Sequence, residues 1–173
     1  MFLIDNNIYW NPDLTIHEDS YFNVRAWDLA QTKTQIDAAF YLWKHNPNSV
    51  CRSDPKYIFK TYSKLIDSID GIASDYIDRG IINKATGQVV HTVYRIYYNN
   101  MMPDWKKDEN AEYLLKLNKR FKLFYIKYQD LWVNASNTDK MTLSNSIRSD
   151  AIKKGMLQED VTIDEWLQKI LAL

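Results

Sequence analysis

The sequence predicts a mainly α-helical single domain, organised around a central helix at about 108–135 and carrying one small β-hairpin at about 81–98. Three observations predict it. Leu114, Leu117, Phe121, Phe124, Tyr128, Leu131 and Ala135 follow an unbroken 3-4 spacing, which lays all seven on one stripe of a helix. Ile58, Tyr62, Leu65, Ile66, Ile69, Ile72, Ala73, Tyr76 and Ile77 form a second apolar helical face. Residues 88–98 are instead almost wholly β-branched or aromatic, with Val90, Tyr94, Ile96 and Tyr98 on one alternating face.

In chain order, residues 1–16 mix β-formers such as Ile4, Ile8 and Tyr9 with turn formers such as Asn6, Asn7 and Pro12, and predict irregular structure with a short strand. A helix is expected from Glu18-Asp19-Ser20 to about His45, most regular at Ile36, Ala39, Phe40 and Trp43. The loop around Asn46-Pro47-Asn48 ends it. Asp54-Pro55 opens the next helix, since Asp accepts from free amides and Pro at the first helical position loses no hydrogen bond.

That helix carries Lys56, Lys60 and Lys64 early and Asp67, Asp70, Asp75 and Asp78 late, against its dipole. Either it breaks near Asp70-Gly71, or basic groups from elsewhere meet the aspartates. The expected hairpin joins Ile81-Ile82 to 88–98 through residues 83–87, with Gly87 in a left-handed turn position, although Val90, Val93, Tyr94 and Tyr97 also keep helical spacing. The central helix then starts with Asp108, Glu109 and Glu112 at its dipole-favoured end. Its second half spreads its apolar surface to Leu123, Tyr125, Ile126, Trp132 and Val133, so cover from several sides within the chain is expected. A helix over 140–154, stopped by Gly155, and a last one capped by the box Thr162-Ile-Asp-Glu165 complete the chain.

Hydrophobic residues make up 46% of the 173 and aromatic residues 14%, enough for a core of large rings without disulfides or metal. Lys plus Arg and Asp plus Glu number 22 each, so no overall field draws the protein to nucleic acid or to an anionic membrane. The lone Cys51 fits a reducing compartment. The N-terminal segment lacks a basic lead and no run of about 18 apolar residues occurs, so a cytoplasmic protein without a membrane span is expected. Abundant Ile, Lys, Asn and Tyr point to AT-rich codons, hence a low-GC bacterium or a virus.

His17, His45 and His91 are dispersed without metal-ligand spacing, and Cys51 has no base beside it. The four carboxylates Asp67, Asp70, Asp75 and Asp78 fail the EF-hand pattern, because its third and fifth positions would be Ile69 and Gly71. They read as a solvated acidic face or a partner surface. Neither Gly80 nor Gly87 belongs to a phosphate loop. No cofactor or metal is predicted. Lys116, Lys119, Arg120, Lys122 and Lys127 are the informative set, a basic flank with no acidic residue among them that could cover the helix, meet the aspartates, or grip an acidic protein or a phosphate backbone.

The layout of residues 35–98, two helices and then a hairpin, resembles a winged-helix unit. The resemblance implies DNA binding by residues 72–79, but Asp75 and Asp78 there repel phosphate. The sequence therefore predicts a non-enzymatic protein-interaction or regulatory accessory protein, a monomer or weak homodimer, binding through the basic flank or the excess apolar surface of the central helix. The alternative is a nucleic-acid-associated accessory protein with a degenerate winged-helix unit. An enzyme is not predicted, because neighbouring residues assemble no nucleophile–base pair, metal set or cofactor loop.

Overall fold

A computed structural model describes residues 1–14, 17–34, 55–153 and 161–173. They form α1 (Phe2–Asp5), α2 (Glu18–Leu29), α3 (Pro55–Asp78), α4 (Ile82–Met101), a 3-10 turn (Asp108–Asn110), α5 (Ala111–Asn134), α6 (Asn137–Lys153) and α7 (Ile163–Leu171). There is no strand among the described residues. The mainly helical class is as the periodicity predicts, and α3, α5 and α7 begin and end close to their expected bounds. At α7 both halves of the capping box form: Thr162 Oγ1 accepts from the Glu165 amide at 3.3 Å, and the Glu165 carboxylate accepts from the Thr162 amide at 2.9 Å.

The hairpin is wrong: residues 82–101 are the single helix α4, and the wing that would complete a winged-helix unit is therefore a helix. Strand propensity measures fit to a half-buried pleated surface, and this run is buried on more sides than a strand could serve. Val89, Val90, Val93 and Ile96 are fully buried, with Thr92, Tyr97, Tyr98 and Met101 nearly so. A helix distributes these side chains among α3, α5, α6 and α7, all of which pack against α4. Its buried polar groups turn inward, Thr92 Oγ1 donating to the Gln88 carbonyl at 2.8 Å and Asn100 Nδ2 to the Ile96 carbonyl at 2.9 Å. Gly87 is thus an ordinary helical residue, and the left-handed glycine among the described residues is Gly80 at φ 72°. There the Gly80 amide bonds the Ile77 carbonyl and the Ile81 amide bonds the Tyr76 carbonyl, a Schellman stop that separates α3 from α4.

Two further expectations fail. α2 stops at Leu29 and residues 30–34 are not helical, so no single helix runs to His45; Ile36, Ala39, Phe40 and Trp43 lie outside the described residues, as does Gly155. The first residues form the helical turn α1 in place of the short strand, while 6–14 are irregular as expected. α3 does not break at Asp70-Gly71, because cations from α2 and α5 face its aspartates.

The core lies where α3, α4 and α5 meet. Ile66, Ile72, Ala73 and Tyr76 of α3 meet Val89, Val93 and Ile96 of α4 and Leu117, Phe121 and Phe124 of α5, all in one apolar cluster. Each such aliphatic or aromatic side chain contributes roughly 1.5–3 kcal/mol by leaving water. Trp166 docks α7 against Phe121 at 5.2 Å and Tyr97 at 5.6 Å between ring centroids, and the Tyr97 hydroxyl donates to the Val161 carbonyl at 2.6 Å. The Tyr98 and Ser144 hydroxyls, 2.6 Å apart, tie α6 to α4.

Candidate protein-interaction face

The long helices α3 and α5 pack with the acidic side of one against the basic side of the other. Arg120 donates through Nε and Nη2 to Asp67 at 2.9 and 2.6 Å, and Lys127 Nζ donates to Asp70 at 2.7 Å and to Ser74 Oγ at 3.1 Å. The Tyr128 hydroxyl donates to the same Asp70 carboxylate at 2.8 Å. Burial pushes the Tyr128 phenol up, so it stays a neutral donor. Asp75 faces the other way, toward α2, accepting from Arg25 at 3.1 and 3.2 Å and from Arg79 at 2.9 Å.

Most of the residues predicted to bind a partner are therefore engaged inside the protein. Asp67, Asp70, Asp75, Arg120 and Lys127 hold α2, α3 and α5 together, and Lys116 pairs with Glu112 one turn back at 2.6 Å. Asp78, Lys119 and Lys122 have no such partner among the described residues, and Asp78 and Lys119 are exposed. Lys119 and Lys122 sit on the side of α5 turned away from α3.

Around them lies the feature that the expectation of internal cover misplaced. Tyr125 and Trp132 are buried as expected, but Leu123, Ile126 and Val133 are 61%, 45% and 66% exposed, and Leu115 is 41% exposed. With about 3.6 residues per turn, Leu115, Lys119, Leu123, Ile126, Asp130 and Val133 fall within an arc of roughly 80° and a length of about 27 Å. The opposite side of α5, with Leu117, Phe121, Phe124, Tyr128 and Trp132, is the core face. Among the described residues the core meets α5 along one face, and α6 packs against α4.

The residue that sequence reasoning missed altogether is Arg25, 2% exposed, which lies over the rings of Tyr21 at 5.0 Å and Tyr9 at 5.9 Å while bonded to Asp75. A lone Arg in the apolar run Val24-Arg25-Ala26-Trp27 was its only signal. Asp28, in the same helix, accepts from the Tyr76 hydroxyl at 2.9 Å and from Lys84 at 2.8 Å.

Among the surface clefts that the described residues line, one of about 700 Å³ is bordered by Asn23, Trp27, Asp28, Lys33 and Gln88, and another, of about 530 Å³, by Tyr57, Phe59, Lys60, Ser63, Tyr113 and Lys116. Among the described residues, no three His, Cys, Asp or Glu side chains gather around a point that would hold a metal ion, and no helix is long and apolar enough to cross a membrane. No family model matches the chain, no curated protein matches its sequence, and no solved structure matches it significantly.

Proposed function

We propose that this chain is a non-enzymatic interaction protein whose contact surface is the outward face of α5. The observation that carries the reading is the line of four exposed apolar side chains, Leu115, Leu123, Ile126 and Val133, on a helix whose other face is fully used by the core. Single exposed apolar residues are ordinary, but a contiguous stripe rimmed by charge marks a contact surface. Lys119 within the stripe and Lys122 at its edge supply orientation, since neither is committed to a carboxylate among the described residues. A nucleic-acid role has less support, because Arg120 and Lys127 hold Asp67 and Asp70 and are not available to phosphates. In this reading the protein works in a reducing cytoplasm, as the lone Cys51 suggests.

A photo-cross-linking amino acid placed at position 123, and as a control at the exposed Gln168 of α7, tests the reading in cells producing the full chain. Discrete adducts at 123 that are absent at 168 are expected. Equal yields at the two positions, or none at 123, would overturn it.

A further inference from the structure

The outward stripe of α5 has an internal symmetry. Read from either end it runs apolar, charged, apolar, apolar, charged, apolar: Leu115, Lys119, Leu123, Ile126, Asp130, Val133. The two charges are of opposite sign and are placed evenly about a centre between Phe124 and Tyr125. A two-fold axis through that centre would lay α5 antiparallel on α5 of a second copy. Lys119 then faces Asp130, Leu123 faces Ile126, Leu115 and Val133 close the ends, and Lys122 meets the neutral Gln129. Parallel pairing would instead bring Lys119 against Lys119, Lys122 against Lys122 and Asp130 against Asp130, a like-charge arrangement that disfavours it. An isologous contact requires one patch to be complementary to itself, and this patch is.

We infer that the partner of this face is a second copy of the chain, joined to the first through antiparallel α5 helices. The inference rests on the interaction reading above and names its partner. A strip about 27 Å long and about 10 Å wide covers roughly 270 Å² on each copy, well below what a stable dimer buries, so the association is of the weak, transient kind, with a Kd on the order of tens of micromolar or higher. Both Lys119–Asp130 contacts repeat by symmetry, so reversing one charge acts twice.

Sedimentation equilibrium of the full chain from about 1 to about 500 μM is the test. Wild type is expected to pass from monomer to dimer. Lys119→Glu alone and Asp130→Lys alone should each weaken association by about tenfold, as two partly exposed pairs are lost, and Lys119→Glu with Asp130→Lys should restore it to within a few-fold. All three variants should melt as wild type does at the lowest concentration, because the positions lie on the exposed side. A wild type that stays monomeric to 500 μM, or a double variant no tighter than the singles, would overturn self-pairing. If monomeric protein still gives discrete adducts at position 123 in cells, the interaction face stands and only its partner is wrong; if those adducts are absent too, both fail.

Discussion

The buried pair Arg25–Asp75 should respond asymmetrically to removal of its two halves. Arg25 is 2% exposed, donates through Nε and Nη2 to one oxygen of Asp75, and its Nη1 has no hydrogen-bond partner among the described residues. Asp75, with a side chain 21% exposed, also accepts from Arg79 at 2.9 Å. Asp75→Ala therefore strands a desolvated guanidinium, which costs about 3–5 kcal/mol. Arg25→Met leaves Asp75 with Arg79 and water, and fills the space between Tyr9 and Tyr21 with a flexible apolar chain whose sulfur suits aromatic neighbours. We expect that change to cost only about 1–2 kcal/mol. Urea unfolding of the two single variants and of Arg25→Met with Asp75→Ala measures all three. The double variant should be more stable than Asp75→Ala alone, because the stranded charge is gone. Equal costs for the two singles, or a double that costs their sum, would refute the assignment of Arg25 as a charge that depends on Asp75.

Gly87 lies inside α4 with nothing within 4 Å of where a Cβ would stand, so Gly87→Ala should raise stability by about 0.5–1 kcal/mol in thermal unfolding; a fall would bring the turn reading back. Burial, reinforced by Arg95, lowers the pKa of both His17 and His91 below 6.5, so the unfolded chain takes up their protons first. Stability should be complete above that value and fall as pH drops through it toward the folded pKa, and His91→Gln should flatten the slope in urea titrations between pH 7.5 and 5. Lys119→Glu with Lys122→Glu should leave stability within about 1 kcal/mol, whereas Arg120→Glu with Lys127→Glu sets like charges against Asp67 and Asp70 and should cost about 2–4 kcal/mol even after allowing for solvent screening of these half-exposed pairs. Circular dichroism melts of the two double variants at low concentration would separate them, and equal losses would mean that the internal and outward cations are not distinct.

How much of this was legible in the sequence follows from what each residue type can report. α5 and α7 were readable because a 3-4 apolar spacing and a capping box are local: the chain carries both the pattern and its cause. α4 was not, since Val89, Val90, Val93 and Ile96 report only that they seek burial, and the choice between strand and helix was made by how many neighbours arrive to bury them. Val90, Val93 and Tyr97 did carry the helical spacing. Their β-branched and aromatic neighbours outweighed it. The misdirected dipole of α3 was a sound clue, because three of its four late carboxylates, Asp67, Asp70 and Asp75, do meet cations, and the sequence left open where those would come from. The flank of α5 and Arg79 lie near enough in pattern to suggest themselves, whereas Arg25 of α2 lies 50 residues away from its Asp75 partner, beyond the reach of any local pattern.

The candidate site shows the same limit from the opposite side. Lys116, Lys119, Arg120, Lys122 and Lys127 look alike in sequence, yet their azimuths on α5 divide them: Arg120 and Lys127 turn to α3, while Lys119 and Lys122 turn out. The division depends on which apolar face the core takes, and α5 offers two. The heavier one, with Phe121, Phe124, Tyr128 and Trp132, wins because rings bury more area per residue, and Leu115, Leu123, Ile126 and Val133 are then outward by geometry alone. A helix with one ring-rich and one aliphatic face thus fixes which side is left outward, and here the aliphatic side carries Lys119 toward one end and Asp130 toward the other, an arrangement of charge that matches itself when turned end for end.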